Sequence, residues 1–356
     1  MVGLVKLQRV LIAVDAMGGD HAPREMVRGA AAAVRRLEVD VALVGRRADV
    51  ERELAELPAG DAAARQHLQV VEATEVVGMD EHPANAVRAK RDSSIVRVCR
   101  EVAEGRAAAA VSAGNSGAVL AAALFTVGRI RGVSRPAIGA VFPSSRGQVF
   151  VLDVGANTDC RPEWLAQFAI MGSVFAKRML GVSEPRVALL SNGEEPGKGS
   201  QLVQAAFPLL QSAPVHFTGN VEGRELFAGA CDVAVCDGFT GNVVLKTAEG
   251  VGEFLLGAIS EQAHKSLQGM LGGALLKPKL RPIRDRVDYR KTGGALLLGV
   301  DGEVVIAHGR SDAEAVISAV RVAADAAQRD VHGTVAGSMT QLAPIAAGVA
   351  GAEDIE

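Results

Sequence analysis

The sequence is poor in cysteine, and its cysteines are not arranged as metal ligands. Four occur in 356 residues, and these are Cys99, Cys160, Cys231 and Cys236. None belongs to a CxxC pair, so we expect no zinc site. No run of eighteen uncharged apolar residues occurs, which argues against a membrane-spanning helix, and the first residues lack the apolar segment of a signal peptide. Without a signal peptide and with free thiols, we expect a cytoplasmic protein.

The sequence also lacks excess positive charge and the common nucleotide and hydrolase motifs. Its formal net charge is −3, whereas bulk binding of nucleic acid needs a strongly basic face, so nucleic acid is not an expected partner. The absence of a GxxxxGK[ST] loop and of a GxGxxG turn argues against nucleotide hydrolysis and NAD binding. The absence of a GxSxG elbow, and of a cysteine with a local histidine partner, argues against a covalent acyl-enzyme.

What the sequence does contain is a repeated alternation of strand and helix. About half of its residues are apolar, and short β-branched runs alternate with longer stretches of helical period. This order predicts an α/β fold with a mostly parallel sheet, and the turn-like "PSSRG" between two apolar runs predicts one hairpin, so the sheet is mixed. We predict a single α/β catalytic domain over residues 1–330, a helical arm at about 250–285, and a flexible tail over residues 331–356.

Glycine and small polar residues follow five of the predicted strands. In an open α/β sheet, ligands bind beyond the carboxyl ends of the strands, so five such loops predict a cleft at that edge. Two of the loops run directly into a helix, whose first N–H groups are suited to phosphate. The loops are "AVDAMGGDHAP" (13–23), "SAGNSGA" (112–118), "DVGANTD" (153–159), "SNGEEPGKG" (191–199) and "CDGFTGN" (236–242).

The loops supply the candidate site residues. His21 is either a helix cap or an acid, base or phosphate donor, and Gly18 and Gly19 let the backbone approach a substrate. Asp15 and Asp20 are expected to orient that first loop. The aspartates that follow two later strands are expected to brace loops or orient a polar partner, and Lys198, Lys246 and Lys291 are candidates to meet a phosphate. The remaining candidates for substrate binding are Asn115, Ser116, Asp153, Asn157, Asn192, Asp237, Thr240 and Asn242.

The segment 253–286 is unusual for a core helix. One predicted helical face carries Leu267, Met270, Leu271 and Leu275, and a basic cluster follows at Lys277, Lys279, Arg281, Arg284 and Arg286. Three interpretations stay open: an arm that packs on a second subunit, a surface that docks an acidic carrier protein, and an element that lies on a membrane.

Several segments together resemble the bacterial phosphate acyltransferase family. The resemblance runs from about Val10 to Ala323. It implies a homodimer with a three-layer α/β/α fold, similar to isocitrate and isopropylmalate dehydrogenases. It also implies transfer of a long-chain acyl group from acyl carrier protein to inorganic phosphate, giving acyl phosphate for phospholipid synthesis without metal or nucleotide cofactor. The segments are "IAVDAMGGDHAP", "SAGNSGA", "DVGANTDCRPEWLAQFAIMGSVFA", "NGEEPGKGS", "DGFTGNVVLKTAEG" and "YRKTGGALLLGV".

The resemblance and the loops together predict a mechanism and partners. Phosphate held in line attacks the thioester carbonyl, helix-start N–H groups stabilise the oxyanion, and His21 or a lysine such as Lys291 protonates the departing thiolate. The expected partners are acyl carrier protein, inorganic phosphate, a second copy of the chain and a membrane-bound glycerol-3-phosphate acyltransferase, with peripheral membrane association. The alternative is a short-chain enzyme acting on acyl-CoA, similar to phosphotransacetylases.

Overall fold

The computed structural model describes residues 9–58, 62–287 and 293–340. The chain divides into two compact units. Unit 1 comprises Met1–Arg131 and Gly293–Ala336, and unit 2 comprises Gly132–Thr292 and Gly337–Glu356.

The described residues contain eleven strands. Their apolar runs are mostly buried, as expected for strands in the interior of a sheet. In chain order they are β1 (Leu11–Asp15), β2 (Asp40–Gly45), β3 (Leu68–Glu72), β4 (Ala109–Ser112), β5 (Ala137–Ser144), β6 (Gly147–Leu152), β7 (Arg186–Leu190), β8 (His216–Val221), β9 (Val233–Val235), β10 (Ala295–Leu298) and β11 (Glu303–Ile306).

Thirteen helices lie in the same residues. They are α1 (Arg24–Leu37), α2 (Arg47–Ala55), α3 (Ala62–Arg65), α4 (Pro83–Ala89), α5 (Ser94–Ala103), α6 (Ser116–Thr126), α7 (Pro162–Met179), α8 (Gln201–Ser212), α9 (Gly223–Ala228), α10 (Gly238–His264), α11 (Leu267–Val287), α12 (Ala313–Gln328) and α13 (Val331–Met339).

Both units have a mostly parallel arrangement of strands. In unit 1 the order is β3-β2-β1-β4-β11-β10, in which only β10 runs antiparallel to its neighbour β11. In unit 2 the order is β5-β6-β9-β7-β8, in which only β5 is antiparallel, forming the predicted hairpin with β6. The prediction of an α/β fold with a mostly parallel, mixed sheet is therefore confirmed.

Close packing in each unit depends on glycine at particular contacts. In unit 1, a Cβ on Gly29 of α1 would lie 2.5 Å from the Cβ of Val316, so Gly29 lets α1 and α12 pack directly against each other. In unit 2, a Cβ on Gly139 would overlap the ring of Phe150, which itself stacks on Phe175 with centroids 3.8 Å apart. Both aromatic rings are buried, and they form part of the core behind β6.

The helices differ in their division from what the sequence pattern predicts. The helical period of residues 85–105 predicts one helix, but the structure has two, α4 and α5, because Asp92 between them accepts hydrogen bonds from Thr74 N and Thr74 Oγ1 at 3.0 and 2.6 Å. The predicted arm is also two helices, α10 and α11. Between them, the Ser266 hydroxyl accepts the Gly269 N–H at 2.9 Å and starts a new helix.

The single predicted domain and the predicted tail also differ from the structure. Two compact units replace the one domain. Residues Val331–Met339, placed in the flexible tail, form α13, because Val331, Val335 and Met339 are apolar side chains that become buried. The rest of that tail lies outside the described residues, beyond residue 340.

Candidate active site

Asp15 joins the loop that follows β1 to the end of β4, both in unit 1. It ends β1, and its side chain is fully buried. One carboxylate oxygen accepts the Met17 N–H at 3.0 Å, and the other accepts the hydroxyl of Ser112, at the end of β4, at 2.7 Å. Burial raises the pKa of Asp15, and these hydrogen bonds oppose that shift. The carboxyl group is thus used to hold two loops together.

The two glycines of the first loop allow these loops to pack tightly. A Cβ on Gly18 would lie 2.7 Å from both Gly114 N and a carboxylate oxygen of Asp15. Gly19 has a φ of +102°, and a Cβ there would lie 3.0 Å from the carbonyl oxygen of Gly309. Both positions therefore require glycine, Gly18 for space and Gly19 for its left-handed backbone as well.

His21 does not cap the helix that follows it. Helix α1 begins after Pro23, and no side chain forms a cap hydrogen bond there. The His21 imidazole is exposed, and over the described ranges no hydrogen bond or ion pair joins it to another residue. The neighbouring Asp20 carboxylate is exposed too, while its N–H donates to Gly309 O at 2.8 Å. The structure therefore leaves His21 available for a ligand and contradicts the helix-cap alternative.

Asn115 caps α6 and also braces a neighbouring loop. Its side-chain oxygen accepts the Ala118 N–H at 3.1 Å. Its side-chain nitrogen donates to the carbonyl oxygens of Met79 and Glu81, at 3.0 and 3.2 Å. Because both ends of the amide have protein partners, the role of Asn115 in the structure is to fix the start of α6.

The first two N–H groups of α6 form a candidate anion site in unit 1. The N–H groups of Ser116 and Gly117 have no hydrogen-bond partner within the part of the chain that the structure describes. The Ser116 side chain is exposed beside them. Open N–H groups at the start of an eleven-residue helix carry partial positive charge, which suits a phosphate oxygen.

The loop after β11 belongs to the same edge of unit 1, and sequence reasoning gave it no role. β11 runs parallel to β4, and its loop contains His308, Gly309 and Arg310. The ring atom Nδ1 of His308 lies 3.1 Å from the N–H of Arg310. Since a backbone N–H can only donate, Nδ1 is the acceptor and the ring proton is on Nε2. The signal was present as "AHGRS" directly after the apolar run "EVVI".

In unit 2, Asp153 holds the loop that follows β6. Its carboxylate is buried and accepts the N–H groups of Ile138, Gly155 and Ala156 at 3.0 to 3.1 Å. The other carboxylate oxygen accepts both the backbone N–H and the side-chain N–H of Asn157, at 2.7 and 2.9 Å. Burial raises the pKa of Asp153, while these hydrogen bonds act to lower it. Five N–H groups of the neighbouring backbone and of Asn157 thus bind this carboxylate and hold the loop in place.

The loop after β9 is fixed to the loop after β6. The Asn157 carbonyl oxygen accepts the Gly238 N–H at 2.7 Å. Asp237 caps α10, where its two carboxylate oxygens accept Thr240 N and Thr240 Oγ1, each at 2.8 Å. The first N–H of α10 and its third are therefore occupied, so α10 offers less to an anion than α6 does. Asn242 is exposed one turn into the helix and is the candidate side chain here that faces solvent.

The loop after β7 is closed on itself. Asn192 accepts the Gly199 N–H at 2.9 Å. Lys198 is exposed and makes no ion pair with any described residue, so it is available for an anion. Lys246 pairs with Glu249 at 2.8 Å.

Some predicted residues lie outside the described residues. Lys291 is one of them. The same is true of the side chains of Leu267, Lys277, Arg281, Arg284 and Arg286 in α11. Met270, Leu271 and Leu275 are exposed, as is Lys279.

The cysteines near the loops are not activated thiols. Burial raises the pKa of Cys236 well above its ordinary value, and its thiol donates to Asp153 O at 3.4 Å. Burial raises the pKa of Cys160 to about 12. A nucleophilic cysteine needs a lowered pKa, so neither thiol is prepared to carry an acyl group.

The described residues contain no group of three or more His, Cys, Asp or Glu side chains placed to hold a metal ion. None of their helices is long and apolar enough to cross a membrane.

Comparison with known proteins identifies the family. The family model described as "Fatty acid synthesis protein" matches residues 10–334. The chain belongs to this family. A phosphate acyltransferase of Heliobacterium modesticaldum is 50% identical over 319 residues, covering 90% of this chain and 94% of that relative. A phosphate acyltransferase of Desulfitobacterium hafniense is 51% identical over 313 residues, covering 88% and 92%. The chain is therefore an acyltransferase, and the resemblance noted in the sequence is confirmed.

Solved structures with the same fold are more distant in sequence. A phosphotransacetylase from Streptococcus pyogenes matches with a TM-score of 0.63 at 16% identity, covering 90% of this chain and 94% of that one. A Salmonella typhimurium protein assigned as a 4-hydroxythreonine-4-phosphate dehydrogenase matches with a TM-score of 0.51 at 13% identity, covering 89% and 99%. At these identities the comparison shows the fold alone.

Proposed function

We propose that this acyltransferase moves a long-chain acyl group from acyl carrier protein to inorganic phosphate and so forms acyl phosphate for phospholipid synthesis. The support is the family membership, with relatives named phosphate acyltransferase at about 50% identity. The observation in the structure that carries the proposal is the start of α6, where the N–H groups of Ser116 and Gly117 have no partner among the described residues and the Ser116 side chain is exposed.

The α6 start would bind phosphate through Ser116 and Gly117. Asn115 and Asp15 would fix that position, because Asn115 pins α6 to the Met79–Glu81 loop and Asp15 ties the β1 loop to Ser112. A rigid anion site converts a weak nucleophile into one held at the carbonyl carbon, which can lower the barrier by up to about 7–11 kcal/mol.

The chemistry is a direct transfer. A phosphate oxygen attacks the thioester carbonyl carbon, and the carbonyl electron pair moves onto oxygen to give a tetrahedral oxyanion. When that pair returns, the C–S bond breaks, and the carrier leaves as a thiolate that takes up a proton. The products are acyl phosphate and the carrier thiol, with no redox change.

His21 is the candidate acid for the departing sulfur. Its ring is exposed on the loop that packs against the SAGNSGA segment through Gly18 and Gly19. Asp20 would orient the His21 loop. In unit 2, considered by itself, the exposed Asn242 and Lys198 are proposed to bind part of the substrate. Lys291 is kept as a candidate from the sequence.

We also place the protein as a homodimer in the cytoplasm. The support for a second copy is an exposed apolar surface on α10 and α11. The exposed members are Phe239, Val243, Val251, Phe254, Leu255, Ile259, Met270, Leu271, Leu275 and Leu276. The free thiols of the described chain fit a reducing compartment. Peripheral membrane association, and delivery of acyl phosphate to a membrane-bound glycerol-3-phosphate acyltransferase, are further parts of this proposal.

The test is product formation. The protein is incubated with long-chain acyl carrier protein and phosphate, and acyl phosphate is followed by phosphorus NMR while free carrier thiol is measured with a chromogenic reagent. We expect equal amounts of the two products. A matched incubation with acetyl-CoA separates the short-chain alternative: faster turnover of acetyl-CoA than of the carrier thioester would overturn the proposal.

A further inference from the structure

A cluster of one tryptophan and two arginines lies in unit 2, next to the loop that follows β6. The guanidinium carbon of Arg135 is 5.1 Å from the centroid of the Trp164 ring, and that of Arg161 is 6.0 Å from it. Trp164 is the only tryptophan in the chain. Both arginines are exposed and Trp164 is half-buried, so the cluster presents two cations on an aromatic ring to solvent. No role described so far involves these side chains.

The backbone that carries Arg135 is fixed from two sides. Gln167, buried in α7, accepts the Ser134 N–H at 2.8 Å and donates to Gly132 O at 3.0 Å. Asn157 donates to Pro136 O at 2.8 Å. The same Asn157 is held by the Asp153 carboxylate. The cluster is therefore anchored both to α7 and to the loop that follows β6.

The positive charges of Arg135 and Arg161 are not neutralised by a neighbouring carboxylate among the described residues. In the ranges that the structure describes, neither Arg135 nor Arg161 forms an ion pair with a carboxylate. Glu163 is close in sequence, but it lies in the first turn of α7, where the positive end of the helix dipole offsets its charge. By contrast, Arg186 of the same unit is engaged by Asp232 at 3.0 Å. The cluster is therefore suited to an acidic ligand from outside the chain.

We propose that Trp164, Arg135 and Arg161 form the docking point for the acidic carrier protein that delivers the acyl group. This inference rests on the proposed function, in which that carrier is the substrate. Tryptophan and arginine are enriched among the residues that dominate protein interfaces. A guanidinium stacked on a ring is already oriented, and it can bind a carboxylate through two N–H groups. Docking here places the carrier beside the loop held by Asp153.

The single tryptophan makes the docking point directly observable. The full-length protein is titrated with holo acyl carrier protein while the Trp164 emission is followed. We expect a saturable change in emission that weakens as salt is added. The double variant Arg135→Glu with Arg161→Glu should lose this change, and its KM for the acyl-carrier thioester should rise at least tenfold.

A matched control is available in unit 1. Arg88 stacks on Phe125 at 5.2 Å and is also exposed, so Arg88→Glu removes the same kind of contact and the same charge elsewhere. We expect the KM for the carrier thioester to stay within about twofold of wild type. A second pair of substitutions, Arg135→Gln with Arg161→Gln, removes charge without reversing it, and thermal melting checks that each variant is folded.

The outcomes separate the docking inference from the proposed function. If wild type forms acyl phosphate from the carrier thioester but both folded double variants keep its KM, the docking point is wrong and the function stands. An equal rise in KM for Arg88→Glu would indicate that the carrier responds to the overall charge of the protein, and it would contradict a local docking point. The same emission change with inorganic phosphate alone would mark a phosphate subsite and overturn the inference. If wild type forms no acyl phosphate, the function fails and the docking inference fails with it.

Discussion

Asp15 and Asp153 occupy comparable positions, one at the end of β1 and the other directly after β6, and both are fully buried. Each is surrounded by N–H or O–H donors of neighbouring loops. A buried carboxylate without partners would be very costly, and these partners offset that cost. Their contribution is to hold loops in place, which leaves the exposed His21 and Ser116 as candidates for contact with substrate.

His21→Ala should lower turnover at least tenfold, which corresponds to about 1.4 kcal/mol of barrier. The melting temperature should stay close to that of wild type, because the His21 side chain forms no cap of α1. Acyl-phosphate formation and thermal unfolding are measured on the same preparation. An early melting transition with normal turnover would mean that His21 only stabilises the loop.

Cys236→Ala should retain substantial turnover. Burial raises the pKa of the Cys236 thiol well above its ordinary value, so the group is not a thiolate at neutral pH. The measurement is kcat with the carrier thioester, together with mass spectrometry of the protein after incubation with substrate. A wild-type protein carrying an acyl group on Cys236, or an inactive but folded Cys236→Ala variant, would contradict this account.

At the scale of elements, a polar network separates α4 from α5 and supports the loop that Asn115 contacts. Asp92 accepts hydrogen bonds from Thr74 and pairs with Arg97 at 2.5 Å. Lys90 donates to Val76 O and Glu81 at 2.8 and 2.5 Å. The loop between β3 and α4 thus depends on these side chains for its position, and Asn115 of the candidate phosphate site depends on that loop.

Asp92→Asn should destabilise the protein at neutral pH. Hydrogen bonds from Thr74, together with Arg97, lower the pKa of Asp92 from 3.8 to about 2. Because the pKa is lower in the folded state, the charged Asp92 contributes to the free energy of unfolding. This contribution is full at pH values above the ordinary pKa and is lost as the pH falls toward about 2. Because the Asp92 side chain is 30% exposed, solvent screens its interactions. We therefore expect Asp92→Asn to lower the free energy of unfolding by about 1 kcal/mol at pH 7.

The measurement for Asp92→Asn is urea unfolding at pH 7 and pH 3. The difference from wild type should be smaller at pH 3. Glu184→Gln serves as the control, since that side chain is 80% exposed and should change stability little at either pH. A difference for Asp92→Asn that is equal at both values would refute the explanation by charge.

The elements that sequence reasoning predicted well are those with a local signal. β1, β4 and β9 are apolar runs followed by glycine, and the β5–β6 hairpin has a turn-like connection. β8 was missed because it is half-exposed at the end of the strand order and alternates without a strong apolar run. The break between α4 and α5 was missed because it is set by contacts with Thr74, far away in sequence.

The sequence predicted which loops form the candidate site, but it did not predict the role of each residue in those loops. Glycine and polar residues after buried strands indicated which loops to consider. The side-chain N–H groups of Asn157 donate to Pro136 O and to the Asp153 carboxylate. Whether such a side chain faces a ligand or the protein depends on which acceptors the fold brings near it, and one sequence does not contain that information. The sequence pattern indicated strand β11, but the residues that follow it, His308 among them, were not considered as part of the site.

At the scale of the whole molecule, exposed apolar surface is concentrated on α10 and α11. Phe254 is 71% exposed and Leu275 is 78% exposed. Large apolar side chains exposed on two helices that contact each other mark an interface more often than a free surface. A homodimer that covers this surface is the arrangement we propose.

Phe254→Glu combined with Leu255→Glu should convert the dimer to a monomer, because two buried charges would face the partner without counter-charges. Sedimentation velocity at several protein concentrations measures the result. Phe125→Ser, which removes an exposed aromatic side chain of unit 1, is the control and should stay dimeric. A wild-type protein that sediments as a monomer at all concentrations would refute the proposed assembly.

The most direct test of the central claim, that phosphate itself attacks the thioester, is an exchange experiment without phosphate. The protein is incubated with acyl carrier protein and isotopically labelled free carrier, and label entering the acylated carrier is measured. Direct attack predicts no exchange until phosphate is added, and exchange with phosphate present because the reaction is reversible. Exchange in the complete absence of phosphate would require an acyl-enzyme and would contradict the account.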